Sequence, residues 1–182
     1  PILRATFMND PQIYSFESLR TAVFHTTDGE YENICYLVWD GDTLDAVLID
    51  PAWNPELILE MIRDTQVNLH AVLITHSHPD HIHLADFFSS SYDIPSYISQ
   101  REYDYYQPLL DQIAFFDFNQ ILKLGSLSIR ILPTPGHTQG GVSFLIGNFA
   151  FTGDTLFAEG CGNCEAPGGD PKQMFASLQK LK

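Results

Sequence analysis

Positive charge is scarce in this chain. Nine Lys and Arg stand against 23 Asp and Glu, a formal net charge of −14 over 182 residues. A nucleic-acid surface needs a basic footprint, so no polynucleotide partner is expected. Cysteine is scarce as well: three cysteines make no disulfide framework, and a reducing cytoplasm is the expected compartment. No apolar run approaches the ~20 residues that cross a bilayer, so no membrane partner is expected either. Repeats, low-complexity tracts, linkers and a leader-like N-terminus are all lacking. The chain begins at Pro1 without methionine and reads as a piece of a longer protein. Residues 1–182 are expected to form a single domain large enough to bury a core.

What the chain does have is a dense cluster of metal-binding side chains, His76-Ser77-His78-Pro79-Asp80-His81. Three histidines and an aspartate within six residues exceed what a structural loop needs. The apolar run Leu69 to Thr75 reads as a strand buried on both faces. Extended backbone beyond it turns His76 and His78 to one side, where one ion can take both imidazoles. The chain then turns at Pro79, which puts Asp80 and His81 in reach of a second ion, and Ile82 to Phe88 reads as a short helix. Two ions about 3.5–4 Å apart hold a bridging hydroxide and polarise the bond under attack.

Further candidates follow in order. The strand-like Ile129 to Leu132 leads into Pro133-Thr134-Pro135-Gly136-His137-Thr138, where two prolines and a glycine fix the approach of a third imidazole. Val142 to Ile146 and Asn148 to Thr152 read as a hairpin turning at Gly147-Asn148. It ends in Phe151-Thr152-Gly153-Asp154, and after a histidine triad Asp154 becomes a candidate bridging carboxylate.

These residues resemble the metallo-β-lactamase superfamily, and within it the glyoxalase II-like thioester hydrolases. The resemblance runs from the strand near Asn33 to the helix after Asp170. It implies an α/β fold, an αββα sandwich with the metals at one edge between the sheets. It also implies that His76, His78 and His137 hold one ion, that Asp80 and His81 hold the other, and that Asp154 bridges them. Asp50 is either a carboxylate that supports the metal loop from behind or a surface-turn aspartate before Pro51. A glutamate at position 78 would point to flavin-linked di-iron members, and β-lactam hydrolases usually lack the Asp154 carboxylate. The family's further histidine for the second ion has no counterpart here, since His25, His70 and His83 do not replace it. On this footing the C-terminus is expected to be incomplete.

The expected activity is thioester hydrolysis by a metal-bound hydroxide. Zinc is the expected cofactor, two ions per site, with iron or manganese as alternatives, and Asp80 orients the nucleophile. Glutathione thioesterases of the family carry Gly-Cys-Gly-Arg after the bridging aspartate. Here Gly160-Cys161-Gly162-Asn163-Cys164 lacks the arginine and reads as a tight loop beside the metals. With Asp80 to Asp86, it resembles the stand-alone thioesterases found with trans-acyltransferase polyketide synthases, which implies an acyl carrier protein as partner. Acidic carrier proteins would need a local patch, for which Arg101, Lys123, Arg130 and Lys172 are candidates. A small glutathione thioester is the alternative substrate. A mononuclear iron persulfide dioxygenase and a non-enzymatic interaction domain are competing classes.

The remaining elements read as follows. Asn33 to Trp39 and Leu44 to Ile49 form a hairpin, and Asn54 caps a helix with Leu57, Ile58, Met61 and Ile62 buried. Ile94 to Ser99 is a strand and Gln100 to Tyr106 a short helix. Asn119 to Leu124 pairs with Ser126 to Leu132 across Gly125. Asp170-Pro171 opens a last helix with Met174, Phe175, Leu178 and Leu181 on one face. Cys35 is expected to be an inert core residue. Tyr103, Tyr105, Tyr106, Phe115, Phe116 and Phe118 are read as one aromatic cluster, core or lid.

Overall fold

The computed structural model describes residues 11–182. Two sheets face each other. The first takes its strands in chain order: β1 (Gln12–Phe16), β2 (Leu19–Thr27), β3 (Glu32–Asp40), β4 (Asp45–Ile49), β5 (Asn68–Leu73), β6 (Ser96–Ile98) and β7 (Ile113–Phe115). Strands β1 to β4 are antiparallel, and β4 to β7 run parallel. The parallel half needs helical crossovers. These are α1 (Pro55–Thr65), the short α2 (Pro79–Ile82) with α3 (Ala85–Tyr92), and α4 (Gln100–Tyr106). The second sheet is an antiparallel meander of β8 (Leu122–Leu124), β9 (Leu127–Pro133), β10 (Val142–Ile146) and β11 (Phe149–Phe151), followed by α5 (Pro171–Leu181).

Period-two alternation builds two cores from the same strands. In β4 and β5, Ala46, Leu48 and Val72 face α1 and α3, where they meet Ile58, Ile62, Ala85 and Phe88. Their neighbours Val47, Ile49, Ala71 and Leu73 face the second sheet, packing on Ile129, Ile131, Phe144 and Phe151. Both faces of β4 and β5 are therefore apolar, as parallel strands covered on each side require. Cys35 is fully buried in the first core, and burial pushes its thiol well above the usual range, as an inert core cysteine should behave.

Several sequence expectations change. Strands β1, β2 and β7 lie outside the elements expected from the sequence. The helix expected over Ile82 to Phe88 is split, because the Leu84 N–H bonds to the Pro51 carbonyl between α2 and α3. Asn54 occupies the N-cap position of α1 but makes no cap; its Oδ1 accepts from the Thr27 N–H at 3.1 Å instead. On α5 the inward face is Met174, Ser177, Leu178 and Leu181, while Phe175 is 66% exposed. The aromatic residues do not form one cluster. Phe116 packs between the sheets against Phe144, Tyr106 approaches His78, and Tyr105 and Phe118 are exposed.

Candidate metal centre

Strand β5 delivers the first ligands. Its chain runs on through Thr75 into His76 and His78, while α2 carries Asp80 and His81. His137 comes from the loop between β9 and β10, and Asp154 from a single 3-10 turn after β11. The first three histidines thus belong to one sheet and the last two groups to the other. They meet where the Val142 N–H bonds to the Thr75 carbonyl at 3.0 Å.

Two groups of donors converge. His76, His78 and His137 form one, and His76, His81 and Asp154 the other. His78 Nδ1 lies 3.1 Å from His76 Nε2 and 3.0 Å from His137 Nε2. Asp154 spans the groups, with one oxygen 3.3 Å from His81 Nε2 and the other 3.3 Å from His137 Nε2. Asp80 stands at the rim, its carboxylate 3.7 Å from His81 Nε2, and belongs to neither tight group.

The far nitrogens explain the rotamers. Asp50 is buried behind the site and accepts from the Thr75 N–H at 2.8 Å, from Thr75 Oγ at 2.5 Å and from His81 Nδ1 at 2.9 Å. Because the Thr75 hydroxyl gives its proton to Asp50, its lone pairs face His76 Nδ1, 3.1 Å away. The Asn163 carbonyl accepts from His137 Nδ1 at 2.6 Å. Each of these contacts places the proton on the far nitrogen and leaves a lone pair on Nε2 aimed inward. Of the two readings of Asp50, the structure selects the supporting carboxylate. Thr75 and Asn163 had no sequence signal, because a threonine ending a strand and an asparagine in a glycine-rich loop are commonplace.

Electrostatics fit a cation. Burial and the neighbouring rings of His81, His78 and His137 push His76 well below the usual imidazole range. Burial and His137 lower His78 as well. Burial also disfavours the charged His81, but Asp50 and Asp154 outweigh it and push the ring up to about 10. Burial would raise Asp154, yet the surrounding histidines, His81 foremost, hold it below the usual carboxylate range. At His76 and His78 the neutral ring is favoured, whereas at His81 the two carboxylates favour a positive charge, which a proton or a metal ion can supply. Nitrogen ligands 2.0–2.1 Å from a tetrahedral zinc lie about 3.3 Å apart, close to the spacing seen here. The donor set therefore fits a metal centre.

Two glycines let the loops close. Gly162 packs on the Asp154 carbonyl and His137 Nδ1, and a Cβ there would run into both. Gly153, with φ +48°, faces the Thr75 side chain in the same way. Beside His81 and Asp154 lies a cavity of about 800 Å³ with an apolar wall from Ile34, Tyr36, Leu156 and Phe157. Its titratable lining is mixed, with Glu32 and Asp154 beside His25 and His81.

Known proteins resemble this chain. The Metallo-beta-lactamase superfamily profile matches residues 29–181. The chain is 38% identical over 152 residues to the "Probable polyketide biosynthesis zinc-dependent hydrolase PksB" of Bacillus subtilis (strain 168), covering 84% of this chain and 68% of that protein. It is 31% identical over 167 residues to the "Hydroxyacylglutathione hydrolase GloC" of Haemophilus influenzae, covering 82% and 78% respectively. Among solved structures, TTHA1623 in a di-iron-bound form superposes with a TM-score of 0.72 at 30% identity, over 87% of this chain and 85% of that one. The fold expected from the sequence, the αββα sandwich, is the fold of these neighbours, and a profile spanning most of the chain makes this protein a member of the metallo-β-lactamase superfamily.

Proposed function

We propose that the protein is a metal-dependent thioesterase that removes acyl groups from the phosphopantetheine arm of a carrier protein. The observation that carries the reading is the pair of converging donor groups joined by Asp154, beside an apolar cavity. His76, His78 and His137 would hold one zinc ion, and His81, Asp80 and Asp154 would serve a second, with Asp154 shared. Bound zinc supplies a Lewis acid and lowers the pKa of water toward 7.

The rest belongs to the chain. Asp50, Thr75 and the Asn163 carbonyl hold the rings with their lone pairs inward. Asp80, at the rim, orients the attacking water through an acceptor oxygen. The walls of Ile34, Tyr36, Leu156 and Phe157 take an apolar acyl group. The leaving thiolate, with a pKa of about 8–9, needs little help from a proton donor. Glu32 in that lining would repel a glutathione carboxylate, whereas the pantetheine part of the arm, beyond its phosphate, carries no charge. The name of the Bacillus relative, a polyketide biosynthesis hydrolase, supports the same choice.

Acyl carrier protein, acyl-pantetheine and lactoylglutathione, compared at equal concentration with the zinc-loaded protein, provide the test. Carrier-bound or pantetheine thioester should turn over fastest, and a strong preference for lactoylglutathione would move the assignment to the glutathione class. Replacing Arg101 and Lys172 by glutamate should lower kcat/KM for the acidic carrier protein and leave acyl-pantetheine unaffected. Elemental analysis should find zinc, and His76→Ala should lose metal and activity together. A single iron with oxygen uptake on a persulfide would overturn hydrolysis.

A further inference from the structure

Glu102 in α4 is fully buried, and the chemistry above gives it no task. We infer that it is a positioning residue for the metal centre, a carboxylate that joins the two loops carrying the histidine triad. The inference rests on the proposed metal centre.

One oxygen, Oε1, accepts from both the backbone N–H and the hydroxyl of Ser77, each at 2.9 Å. The other, Oε2, accepts from the Gly140 N–H at 2.8 Å. Ser77 lies between His76 and His78, and Gly140 lies three residues beyond His137. The Ser99 hydroxyl repeats the link: it donates to the Gly140 carbonyl at 2.6 Å and accepts from the Glu102 N–H at 3.1 Å. Gly140 sits flush against Glu102, where a Cβ would strike its backbone.

Burying a carboxylate is costly unless donors satisfy it. Here three donors do so, and they come from loops at the ends of different sheets. A group whose sole task was to stabilise α4 would not need to reach both loops. The spacing between His78 and His137 is thus set from outside the site, by an acceptor on each side of Glu102's carboxylate.

Glutamine at 102 is the informative change, being nearly isosteric. Its amide carries two donors and one acceptor oxygen, so either Ser77 or Gly140 would face a donor with a donor. Zinc affinity is measured by chelator competition, the ligand field by the visible bands of the cobalt(II) form, and the melting of the metal-free protein separately. Glu102→Gln should weaken zinc binding about 10- to 100-fold, as loss of outer support does elsewhere, and should shift the cobalt bands. Ser77→Ala removes one of the two bonds to Oε1 and should weaken zinc less than tenfold.

A Glu102→Gln protein that melts lower but keeps wild-type zinc affinity and cobalt bands would overturn the inference. Should Glu102→Gln fail to fold, Ser77→Ala decides, and unchanged affinity there would overturn it equally. Failure of the wild-type chain to bind zinc or cobalt would instead count against the metal centre itself.

Discussion

Asp45 shows how a single carboxylate outside the site ties the two sheets. It accepts from His70 Nε2 at 2.6 Å and from the Ser126 N–H at 2.8 Å, joining β4, β5 and the β8–β9 turn. These bonds, the His70 contact first, hold its carboxyl well below the usual range, so it releases its proton more readily folded than unfolded. Such a group stabilises the fold above the unfolded value of about 3.9, and the contribution is lost as pH falls below it. Asp45→Asn should therefore be less stable than wild type at pH 7 in urea unfolding, with the gap closing below about pH 4. A gap that widened in acid would contradict this assignment. At the metal edge, Gly162→Ala should cut zinc affinity while changing global stability little, since the added methyl meets the Asp154 carbonyl and His137 rather than the core. The contrast between visible and hidden residues is instructive. His76 to His81 stand out because their ligand pattern is local in the chain. Glu102 does not, because Ser99-Gln100-Arg101-Glu102 fits the ordinary S-x-x-E signature of a helix start. Ser99 does cap α4 by accepting from the Glu102 N–H, but the glutamate side chain turns away to Ser77 and Gly140.

Among the elements, those with strong periodicity were legible. The alternation of β9 and the continuous apolar runs of β4 and β5 gave both type and place. Strand β1 did not, because all five of its residues are exposed and only its pairing with β2 defines it. Strand β7 is three residues long, too short for a period to show. Helix α5 lies where Asp170-Pro171 predicts it, but its buried face differs from the expected one, since Phe175 is adjacent to Met174 and the larger apolar residue points to the wrong side. Met174 instead packs over Gly136, and Ser177 Oγ donates to the Pro135 carbonyl at 2.6 Å. Met174→Ala should cost about 2–5 kcal/mol in denaturant unfolding, the usual range for a buried methionine. Phe175→Ala should cost about 0.5 kcal/mol or less. The reverse order would restore the face expected from sequence.

At the scale of the molecule, the donor groups draw on both sheets, so a bound ion joins them. Anything that binds only the folded state raises stability by mass action, by about 2.7 kcal/mol when free ligand is 100-fold above Kd. Stripping with a chelator should lower the melting temperature, and adding zinc back should restore it in a concentration-dependent way. A melting curve indifferent to zinc would argue against an ion between the sheets. The strand order carries a consequence for biosynthesis. Each sheet is one unbroken stretch of chain: β1 to β7 end at Phe115, and β8 to β11 begin at Leu122. A polypeptide emerging from the ribosome, N-terminus first, can pair its whole first sheet, with His76, His78 and His81 attached, before His137 or Asp154 has been translated. The complete donor set therefore cannot assemble until residue 154 has been made, and a nascent chain stalled before residue 137 carries half a site that has nothing to close it.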